Sequence, residues 1–456
     1  MTLEDKKNKI LELVAEYIKE KHDSKTWTPG KDWVAYSGNH YNEDEFVAAV
    51  DTLLGEWLIF GDNCAEFEKV FPGYLGKRLG SVVNSGSSAN LLMMTAAKSR
   101  RTYRMKAGDK IITPVVCFPT TLNPIIQNGF QPVFVDSTLP SLNPDLDQVE
   151  QLLQSDSSIK GIAFAHVLGN PPDMDRLMAL VDKHNLVFFE DACDALGSTY
   201  KGKKLGSYGH ISTCSFFPAH HMTMGEGGFV ATNEESMRKV VASLRDWGRA
   251  CYCNTSKPGN VTEGTACGNR FRNWLPGQKD AVYDHRYVFD EIGYNLKPLD
   301  LQAAMGLQQL KKLPDMDAAR RKNFVEYTQL FKAYEEYFHL PHPTEHSDPC
   351  WFGFLLTVKD GAPFTKDQFV RYLEANKIQT RSYFSGNVLA HPGYRELAAG
   401  RNLQAEFPVA TKVTTSSFFL GTFIGITEPK MDYIKSVVEQ FFRDKPYTKQ
   451  LKVVQE

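Results

Sequence analysis

Three short polar segments of this chain each follow an apolar, strand-like run and carry side chains suited to chemistry. The first, residues 84–90 (NSGSSAN), places a glycine and hydroxyl groups at the start of a helix-like stretch. Glycine lets the backbone approach an anion closely, and hydroxyls and helix N-terminal amides donate hydrogen bonds to phosphate. The segment therefore predicts a phosphate site, although a turn capped by a serine has the same signature.

The second segment, residues 189–197 (FEDACDALG), ends an apolar run with Asp191. A carboxylate at the carboxyl end of a strand can keep a pyridine nitrogen protonated, which makes the ring an electron sink. A helix cap or a structural ion pair would use the same residue. The third segment, residues 215–228 (SFFPAHHMTMGEGG), contains His220, whose imidazole can accept and donate protons near neutral pH.

Four of the eight cysteines form a further pattern, with Cys193, Cys251, Cys253 and Cys267 spaced C-x57-C-x-C-x13-C. Four thiolates suit a zinc ion or an iron–sulfur cluster. From spacing alone, zinc or plain structural cysteines come first, because C-x-C is not a common ferredoxin pattern.

Strand-like and helix-length segments alternate along the part of the chain that carries these groups. Apolar runs rich in Val, Ile and Phe, separated mostly by helix-length segments, occur at residues 81–84, 110–116, 132–136, 161–167, 186–191, 211–217 and 228–232. Such runs predict a mostly parallel α/β sheet buried on both faces. Ligands gather beyond the carboxyl ends of its strands, which is where the polar segments fall.

The remaining sequence predicts three further parts. Residues 1–30 contain an amphipathic helix packed on the body, and residues 31–315 form a large domain interrupted by an irregular segment at 249–290. Residues 316–456 mix strand and helix signals and predict a smaller α+β domain.

The composition excludes several classes of protein. The 456 residues are 42% hydrophobic and 23% charged with a formal charge of −2, so no nucleic-acid footprint is present. No run approaches the roughly 18–20 apolar residues needed to cross a bilayer. The charged N-terminus lacks the core of a secretory signal, so we expect a cytoplasmic protein.

The three polar segments, in this order, resemble the sugar aminotransferase family of fold-type I enzymes that use pyridoxal phosphate. Residues 292–296 (IGYNL) and 301–306 (LQAAMG) extend the resemblance, which covers about residues 39–434. It implies an aminotransferase-like fold, with a mostly parallel seven-stranded sheet in a large domain plus a smaller α+β domain.

His220 occupies the position at which the family carries its Schiff-base lysine. Imidazole cannot form that bond but can carry a proton. The exchange is typical of a subgroup, the NDP-4-keto-6-deoxyhexose 3-dehydratases. The resemblance therefore implies a non-covalent pyridoxamine 5′-phosphate (PMP) and removal of a sugar C3 hydroxyl. The alternative is that His220 merely fills space in an inactive enzyme.

The resemblance also implies which residues hold the cofactor. Gly86, Ser87 and Ser215 would bind its phosphate, and Asn295 would reach it from a neighbouring subunit, which implies a homodimer. Phe118 would stack on the ring unless it is ordinary core.

Asp191 would face the pyridine nitrogen. The resemblance also implies that Asp194 binds the cofactor. Asp194 and Phe217 stand where transaminating relatives often carry Gln or His, so we take both as part of the change in chemistry. Arg381 would bind the substrate diphosphate, unless it is a solvated surface charge.

Within the subgroup, the cysteine in the DAC motif and the C-x-C pair resemble the iron–sulfur type that acts on a CDP-linked hexulose. That likeness implies that Cys193, Cys251, Cys253 and Cys267 hold a [2Fe-2S] cluster, supplied with electrons by an NADH-dependent flavin/iron–sulfur reductase. The gap before Cys267 is longer than in that type, so Cys64 or Cys350 is an alternative fourth ligand.

Three alternative functions stay open. A cluster-free 3-dehydratase would renew its PMP with glutamate. A non-catalytic sensor would bind the cofactor and signal through a partner, and would normally need an output module. An ordinary sugar aminotransferase would need a lysine at the cofactor, and the lysines near the second segment occupy a separate polar turn.

Overall fold

The computed structural model describes residues 1–251, 270–278 and 280–448 of the chain. Its central feature is a sheet of seven strands, which are β1 Leu79–Val83, β2 Lys110–Pro114, β3 Gln131–Val135, β4 Ile159–Ala165, β5 Val187–Asp191, β6 Ile211–Ser215 and β7 Gly228–Thr232. The strand order is β1-β7-β6-β5-β4-β2-β3, and β7 runs antiparallel to both of its neighbours. All seven apolar runs of the sequence form this sheet, which confirms the predicted α/β fold.

Both faces of this sheet are buried, because successive side chains of a strand point to opposite sides. Phe188 and Phe189 are both inaccessible to solvent, yet Phe188 packs in one hydrophobic cluster and Phe189 in the other. Ile111 and Ile112 divide between the two clusters in the same way. Continuous apolar strands of this kind need helices on both sides.

Helices surround the sheet and build the second part of the chain. They are α1 Leu3–Asp23, α2 Glu43–Leu54, α3 Asp62–Val70, α4 Gly86–Ala97, α5 Pro119–Gln127, α6 Leu146–Ser155, α7 Met174–Lys183, α8 Glu235–Arg245, α9 Asp300–Lys332, α10 Lys366–Ala375, α11 Arg395–Ala398, α12 Leu403–Glu406, α13 Pro408–Ser416 and α14 Glu428–Asp444. Four of them, α4, α6, α7 and α8, coincide within a few residues with the helix-length segments between the apolar runs.

A second, antiparallel sheet lies in the C-terminal part. Its strands are β8 Phe338–His339, β9 Gly353–Val358, β10 Arg381–Ser382 and β11 Ser417–Gly421, in the order β8-β9-β11-β10. Helices α10 and α14 contribute Phe369 and Phe441 to the same aromatic cluster as these strands. Strand and helix signals thus form one α+β unit here.

The long helix α9 connects the two parts. Leu310 and Met316 of its first half pack in a core cluster of the large sheet, whereas Phe324 and Phe331 of its second half pack with the small sheet. A boundary after residue 315 would fall inside this continuous helix, so the division at 315/316 stays a prediction.

The N-terminal helix α1 has the predicted amphipathic form and contacts α2, with Lys7 paired to Asp51 at 2.5 Å. Ile18 is its buried residue, while Leu13 and Tyr17 are mostly exposed. Among the helices that the structure describes, none has both the length and the apolar character needed to cross a bilayer.

The irregular segment predicted at 249–290 is described only in part. Strands Phe271–Arg272 and Tyr283–Asp284 pair as a short hairpin. In a small three-stranded sheet, Thr199–Tyr200 is the middle strand and pairs with Lys203–Lys204 on one side and Ser347–Asp348 on the other. The pairing of Thr199–Tyr200 with Lys203–Lys204 places Lys201, Lys203 and Lys204 in a separate turn, as expected.

Candidate active site

A cavity of about 590 Å³ opens beyond the carboxyl ends of the parallel strands. The sequence segments that follow three separate strands meet here, as the topology requires. The predicted site residues that line it are Gly86, Ser87, Phe118, Asp191, Cys193, Asp194, Ser215, Phe217, His220 and Arg381. One cavity therefore collects ten residues that are up to 295 positions apart in the sequence.

The N-terminus of α4 forms one wall of this cavity. Ser85 caps the helix, and its Oγ accepts a hydrogen bond from the Ser88 amide at 3.1 Å. The first amides of a helix have no partner within the helix, and they attract anions. The capped-turn interpretation and the phosphate-site interpretation are thus compatible, because the cap leaves Gly86 and Ser87 on the cavity wall.

Close packing explains two glycines around this wall. A Cβ on Gly86 would lie 2.4 Å from the Cβ of Ser215, so only glycine lets α4 approach the end of β6. A Cβ on Gly228 would lie 2.2 Å from the carbonyl oxygen of Ser85. Both contacts bring hydroxyls and helix amides together within the space that a phosphate needs, which makes this wall a fitting cradle for the phosphate of a B6 cofactor.

Asp191 lies at the floor of the cavity and is almost fully buried. Its Oδ2 accepts hydrogen bonds from Asn90 Nδ2 at 2.8 Å and from Thr121 Oγ1 at 2.9 Å, and its Oδ1 accepts one from the Cys193 amide at 3.1 Å. Thr213 Oγ1 in turn donates to Asn90 Oδ1 at 2.6 Å. These bonds hold a carboxylate in one orientation toward the cavity, which suits a partner for a protonated pyridine nitrogen.

The neighbouring acid Glu190 points to the other face of the sheet. It accepts hydrogen bonds from the amides of Gly206 and Gly209, both at 2.6 Å, and lies 2.9 Å from Nε2 of the buried His166. Burial alone would raise the pKa of Glu190, but these donors hold it below its ordinary value. Glu190 is therefore a structural acid, and strand alternation alone separates it from Asp191.

His220 lies in the loop between β6 and β7. The loop is closed by backbone hydrogen bonds from Phe216 to Gly227 and from Met224 to Phe216, and the His220 amide donates to the Phe217 carbonyl at 2.9 Å. The ring of Phe352 lies 5.5 Å from the imidazole, centre to centre. The histidine ring is thus held at the cavity wall with only 16% of its side chain exposed.

Asp194 is the charged neighbour of this histidine. Its Oδ1 lies 3.4 Å from His220 Nε2, and burial raises the pKa of the Asp194 carboxyl while His220 opposes the shift. Asp194 had been predicted from the resemblance as a cofactor residue. The structure places its carboxylate against the histidine ring, where it can orient the imidazole.

Aromatic residues form the upper part of the cavity. Phe118 is 48% exposed and meets the ring of Phe384 edge-on at 5.9 Å, so it is not an ordinary core residue. Phe217 is 45% exposed. At the mouth, the guanidinium carbon of Arg381 lies 4.0 Å from the centre of the Tyr36 ring. This stacking leaves the Arg381 fork on the cavity side of the small sheet, a suitable position for a phosphate-bearing substrate.

The predicted metal ligands are only partly described. Cys193 lines the cavity, and burial followed by the charge of Asp191 raises the pKa of its thiol well above the ordinary value. Cys251 is a free, partly exposed thiol, and Cys253 and Cys267 lie outside the described residues. Among the residues that are described, no group of three or more histidine, cysteine or acidic side chains is arranged to hold a metal.

Asn295 does not line the cavity of its own chain. Its side chain is exposed, and its backbone bridges to Asp246. The prediction that it reaches the cofactor of a second subunit stays a prediction.

Several residues of the site were not singled out from the sequence. Asn90 ends the first quoted segment and Thr121 follows Phe118 by three positions, but the pairing of both with Asp191 required the fold. No sequence pattern pointed to Arg320 as a residue of the site. It is a buried arginine on α9 that donates to the carbonyl oxygens of His220 at 3.2 Å and Phe352 at 3.1 Å.

Comparison with known proteins adds a family profile and close relatives. The profile of the DegT/DnrJ/EryC1/StrS aminotransferase family matches residues 39–439. A lipopolysaccharide biosynthesis protein, RfbH, from Salmonella typhimurium is 39% identical over 97% of this chain and 99% of its own. A dTDP-4-dehydro-2,6-dideoxy-D-glucose 3-dehydratase from Saccharopolyspora spinosa is also 39% identical, over 96% and 92%.

Two further relatives share less of the sequence. A GDP-4-keto-6-deoxy-D-mannose 3-dehydratase from Yersinia pseudotuberculosis is 32% identical over 76% of this chain and 84% of its own. The solved structure of the Escherichia coli GDP-4-keto-6-deoxy-D-mannose-3-dehydratase with bound hydrated PLP has a TM-score of 0.75 at 26% identity, covering 89% of this chain and 99% of that one.

Proposed function

Because the chain belongs to the DegT/DnrJ/EryC1/StrS aminotransferase family, we propose that it is a PMP-dependent 3-dehydratase of a nucleotide-linked 4-keto-6-deoxyhexose. One observation carries this proposal. The cavity wall presents His220, and no lysine is among the lining residues in the described parts of the chain. The names of the relatives support the same activity, since three of the four are 3-dehydratases of nucleotide-linked keto-sugars.

The lining residues fit a B6 phosphate ester. When bound, PMP supplies an amine that condenses with the C4 ketone and a ring that takes up electrons. Gly86, Ser87 and Ser215 would bind its phosphate, and Phe118 would pack against its ring. Asp191, fixed by its three donors, would keep the pyridine nitrogen protonated.

His220 would move the proton in this reaction. Its imidazole would accept a proton from the C4′ carbon of the cofactor and could pass it to the departing C3 hydroxyl, which would leave as water; it would form no covalent bond there. A lysine in the same place could bond to the aldehyde form of the cofactor and favour transamination. Asp194, 3.4 Å from Nε2, would orient the ring and balance the charge that it gains.

Arg381 would recognise the diphosphate of the nucleotide sugar. It lines the same cavity as Gly86, Ser87 and Ser215, and guanidinium matches phosphate geometry. The identity of the nucleotide, predicted as CDP from the resemblance, stays a prediction.

Replacing a hydroxyl by hydrogen needs two electrons, and the two subtypes differ in their source. In the cluster-free subtype glutamate donates its amine to renew PMP and becomes 2-oxoglutarate. In the iron–sulfur subtype a reductase passes electrons from NADH through a [2Fe-2S] cluster. The relatives' names favour the cluster-free route at least as well as the iron–sulfur route. We therefore propose the cluster-free route as the main one.

The two routes are separated by composition and by reductant. The chain is purified without oxygen, iron and acid-labile sulfide are quantified, and turnover is followed with glutamate alone or with NADH and a flavin/iron–sulfur reductase. Glutamate-dependent loss of one oxygen atom from the sugar, without bound iron, supports the cluster-free route. Stoichiometric iron with NADH-dependent turnover, both abolished by Cys193→Ser, would establish the iron–sulfur route instead.

The dehydratase proposal itself is tested by His220→Asn beside a matched control, His346→Asn. His346 is exposed and has a φ of 67°, a conformation that asparagine tolerates. General base catalysis contributes about 10²–10⁴-fold, so we expect a loss of that order in His220→Asn and none in the control. Dehydration within a factor of three of wild type in His220→Asn would overturn the proposal.

A further inference from the structure

Tyr36 is held against the small sheet by hydrogen bonds of the segment on which it lies. The Val34 amide donates to the Lys377 carbonyl oxygen at 2.8 Å, and the Gln379 amide donates to the Val34 carbonyl oxygen at 2.9 Å. The Tyr36 amide donates to Gln379 Oε1 at 3.2 Å. These bonds follow the residues that lead into β10, so the backbone of Tyr36 is fixed beside the start of that strand.

A glycine on the neighbouring strand lets this segment pack closely. A Cβ on Gly421 of β11 would lie 1.8 Å from the carbonyl oxygen of Tyr36, so only glycine fits at that position. The Tyr36 ring meets the ring of Phe419, on the same strand, edge-on at 5.9 Å. Phe419 is paired across the sheet with Arg381 of β10. Both the backbone and the ring of Tyr36 are therefore fixed next to Arg381.

Arg381 is held by an aromatic face and not by an acid. Its guanidinium carbon lies 4.0 Å from the centre of the Tyr36 ring, within the roughly 6 Å of a cation–π contact. Its Nη1 donates to the Thr380 carbonyl oxygen at 2.7 Å. Among the residues that the structure describes, no carboxylate forms an ion pair with Arg381, and no other acceptor takes its remaining N–H groups.

This neutral support has a consequence for anion binding. A carboxylate paired with Arg381 would occupy the guanidinium fork and compensate its charge. The face of an aromatic ring restrains the guanidinium plane and leaves the N–H groups at its edge unused. Guanidinium can donate two parallel hydrogen bonds to phosphate oxygens, and it stays charged at any physiological pH. The stacked Arg381 therefore keeps both its charge and its free donors for an anion in the cavity.

We propose that Tyr36 is a positioning residue for the substrate diphosphate, because its ring holds the Arg381 guanidinium with its free edge toward the cavity. Tyr36 and Arg381 both line that cavity. The proposal rests on the proposed function for the nucleotide sugar as the source of the diphosphate. Tyr36 acts through Arg381 and takes no part in the chemistry at C3.

The test compares variants that separate the ring from its hydroxyl group. Tyr36→Phe keeps the aromatic face, whereas Tyr36→Leu removes it, and Arg381→Met removes the cation. Trp33→Leu is the matched control. Lys377 Nζ lies 5.0 Å from the centre of the Trp33 ring, which is a second cation–π contact of the same segment, and neither residue lines the described cavity.

Binding of inorganic diphosphate is measured by calorimetry on the intact chain at saturating PMP, so that the cofactor's phosphate site is already filled. A cation–π contact is worth a factor of about 2–30 in binding. We expect the dissociation constant to rise about fivefold in Tyr36→Leu and to stay within about twofold of wild type in Tyr36→Phe and Trp33→Leu. In turnover, KM for the nucleotide sugar should rise by a similar factor in Tyr36→Leu, with kcat within about twofold.

A double variant separates positioning from direct contact with the anion. The ring has nothing to hold once the cation is gone, so Tyr36→Leu combined with Arg381→Met should bind diphosphate within about twofold of Arg381→Met alone. Two residues that bound the anion independently would show additive losses. A merely structural role of Tyr36 would lower affinity in both backgrounds.

Several outcomes would overturn the proposal. These are equal weakening in Tyr36→Phe and Tyr36→Leu, equal weakening in Trp33→Leu, and additive losses in the double variant. If Tyr36→Leu does not fold, a crystal structure of the PMP-bound wild type with inorganic diphosphate replaces it. An Arg381 that contacts a phosphate oxygen while stacked on Tyr36 supports the proposal, and an Arg381 that has left the ring rejects it.

Failure of this inference and failure of the proposed function give different results. The expected binding pattern in a chain without dehydratase activity would support the role of Tyr36 and reject the proposed function. Normal dehydration by the wild type, with diphosphate binding unchanged in Tyr36→Leu, would reject the role of Tyr36 and leave the proposed function in place.

Discussion

Replacing Asp191 by asparagine separates the stability of the site from its chemistry. The carboxylate accepts two hydrogen bonds at Oδ2, from Asn90 and Thr121, and one at Oδ1, from the Cys193 amide. Asparagine offers one oxygen and one amide group, so its NH₂ must face at least one donor. Turned toward Cys193, it leaves one buried N–H unpaired, which costs about 1–3 kcal/mol. We expect the midpoint of urea unfolding to fall accordingly.

The chemical loss should be much larger than the loss of stability. A neutral amide cannot hold the pyridine nitrogen of the cofactor in its protonated form, and removing one well-placed electrostatic group from an enclosed site costs about 10²–10³-fold in kcat. The assay is the rate of C3 dehydration at saturating PMP, with cofactor binding measured separately by absorption. We expect a loss of at least about 100-fold for Asp191→Asn.

Thr213→Val provides the matched control. Thr213 is fully buried, and its hydroxyl donates to Asn90 Oδ1 behind Asp191. Its loss should reduce stability by a similar 1–3 kcal/mol, roughly, but it leaves the carboxylate charge in place. We expect its dehydration rate to stay within threefold of wild type. Equal losses of activity in the two variants, or near-normal activity in Asp191→Asn, would show that Asp191 acts only through the fold.

Two further changes test other parts of the site, and a third tests Asp317, an acid on α9. His220→Lys should bond covalently to the aldehyde form of the cofactor, seen by mass after borohydride reduction, and should lose about 10²-fold or more of dehydration; dehydration at the normal rate would refute the histidine assignment. Arg381→Met should raise KM for the nucleotide sugar about tenfold with kcat within threefold, since a lost charge-assisted contact is worth about 1.5–3 kcal/mol; unchanged binding of the free nucleoside diphosphate by calorimetry would contradict this. Burial raises the pKa of Asp317 to about 6, from an ordinary 3.8. The folded chain therefore holds this proton more tightly than the unfolded chain, and stability falls as pH rises from about 4 to about 6. Asp317→Asn should remove that fall, so its urea midpoint should exceed that of wild type by more at about pH 7 than at about pH 4.5; a constant difference would refute it.

The strand runs and the polar segments could be predicted from the sequence, because both depend on local patterns. Fully buried parallel strands need unbroken apolar residues, and a turn at a strand end needs glycine and hydroxyl groups. The seven strands and the helices between them therefore agree with the prediction within a few residues. The position of His220 followed in the same way, from an intact segment around one exchanged residue.

The contacts between segments depended on the tertiary structure. Asn90 and Thr121 donate to Asp191, and Thr213 donates to Asn90, although the three lie on different elements. They come together only because parallel strands end at the same edge of the sheet. Arg320 gave no signal, since a polar residue inside a long helix is usually solvated, and only the packing of α9 buries it behind His220.

The chemistry available to this chain can be read from its residues: an imidazole in place of an amine, a carboxylate at a strand end and hydroxyls at a helix start. These are properties of residue type and local order. Which groups share a cavity, and which acid is structural, depend on how the chain folds. Glu190 and Asp191 are neighbours in sequence, yet one is bound by His166 and two loop amides and the other faces the cofactor cavity. That difference arises from the sheet, which sends adjacent side chains to opposite faces with different partners and different access to water.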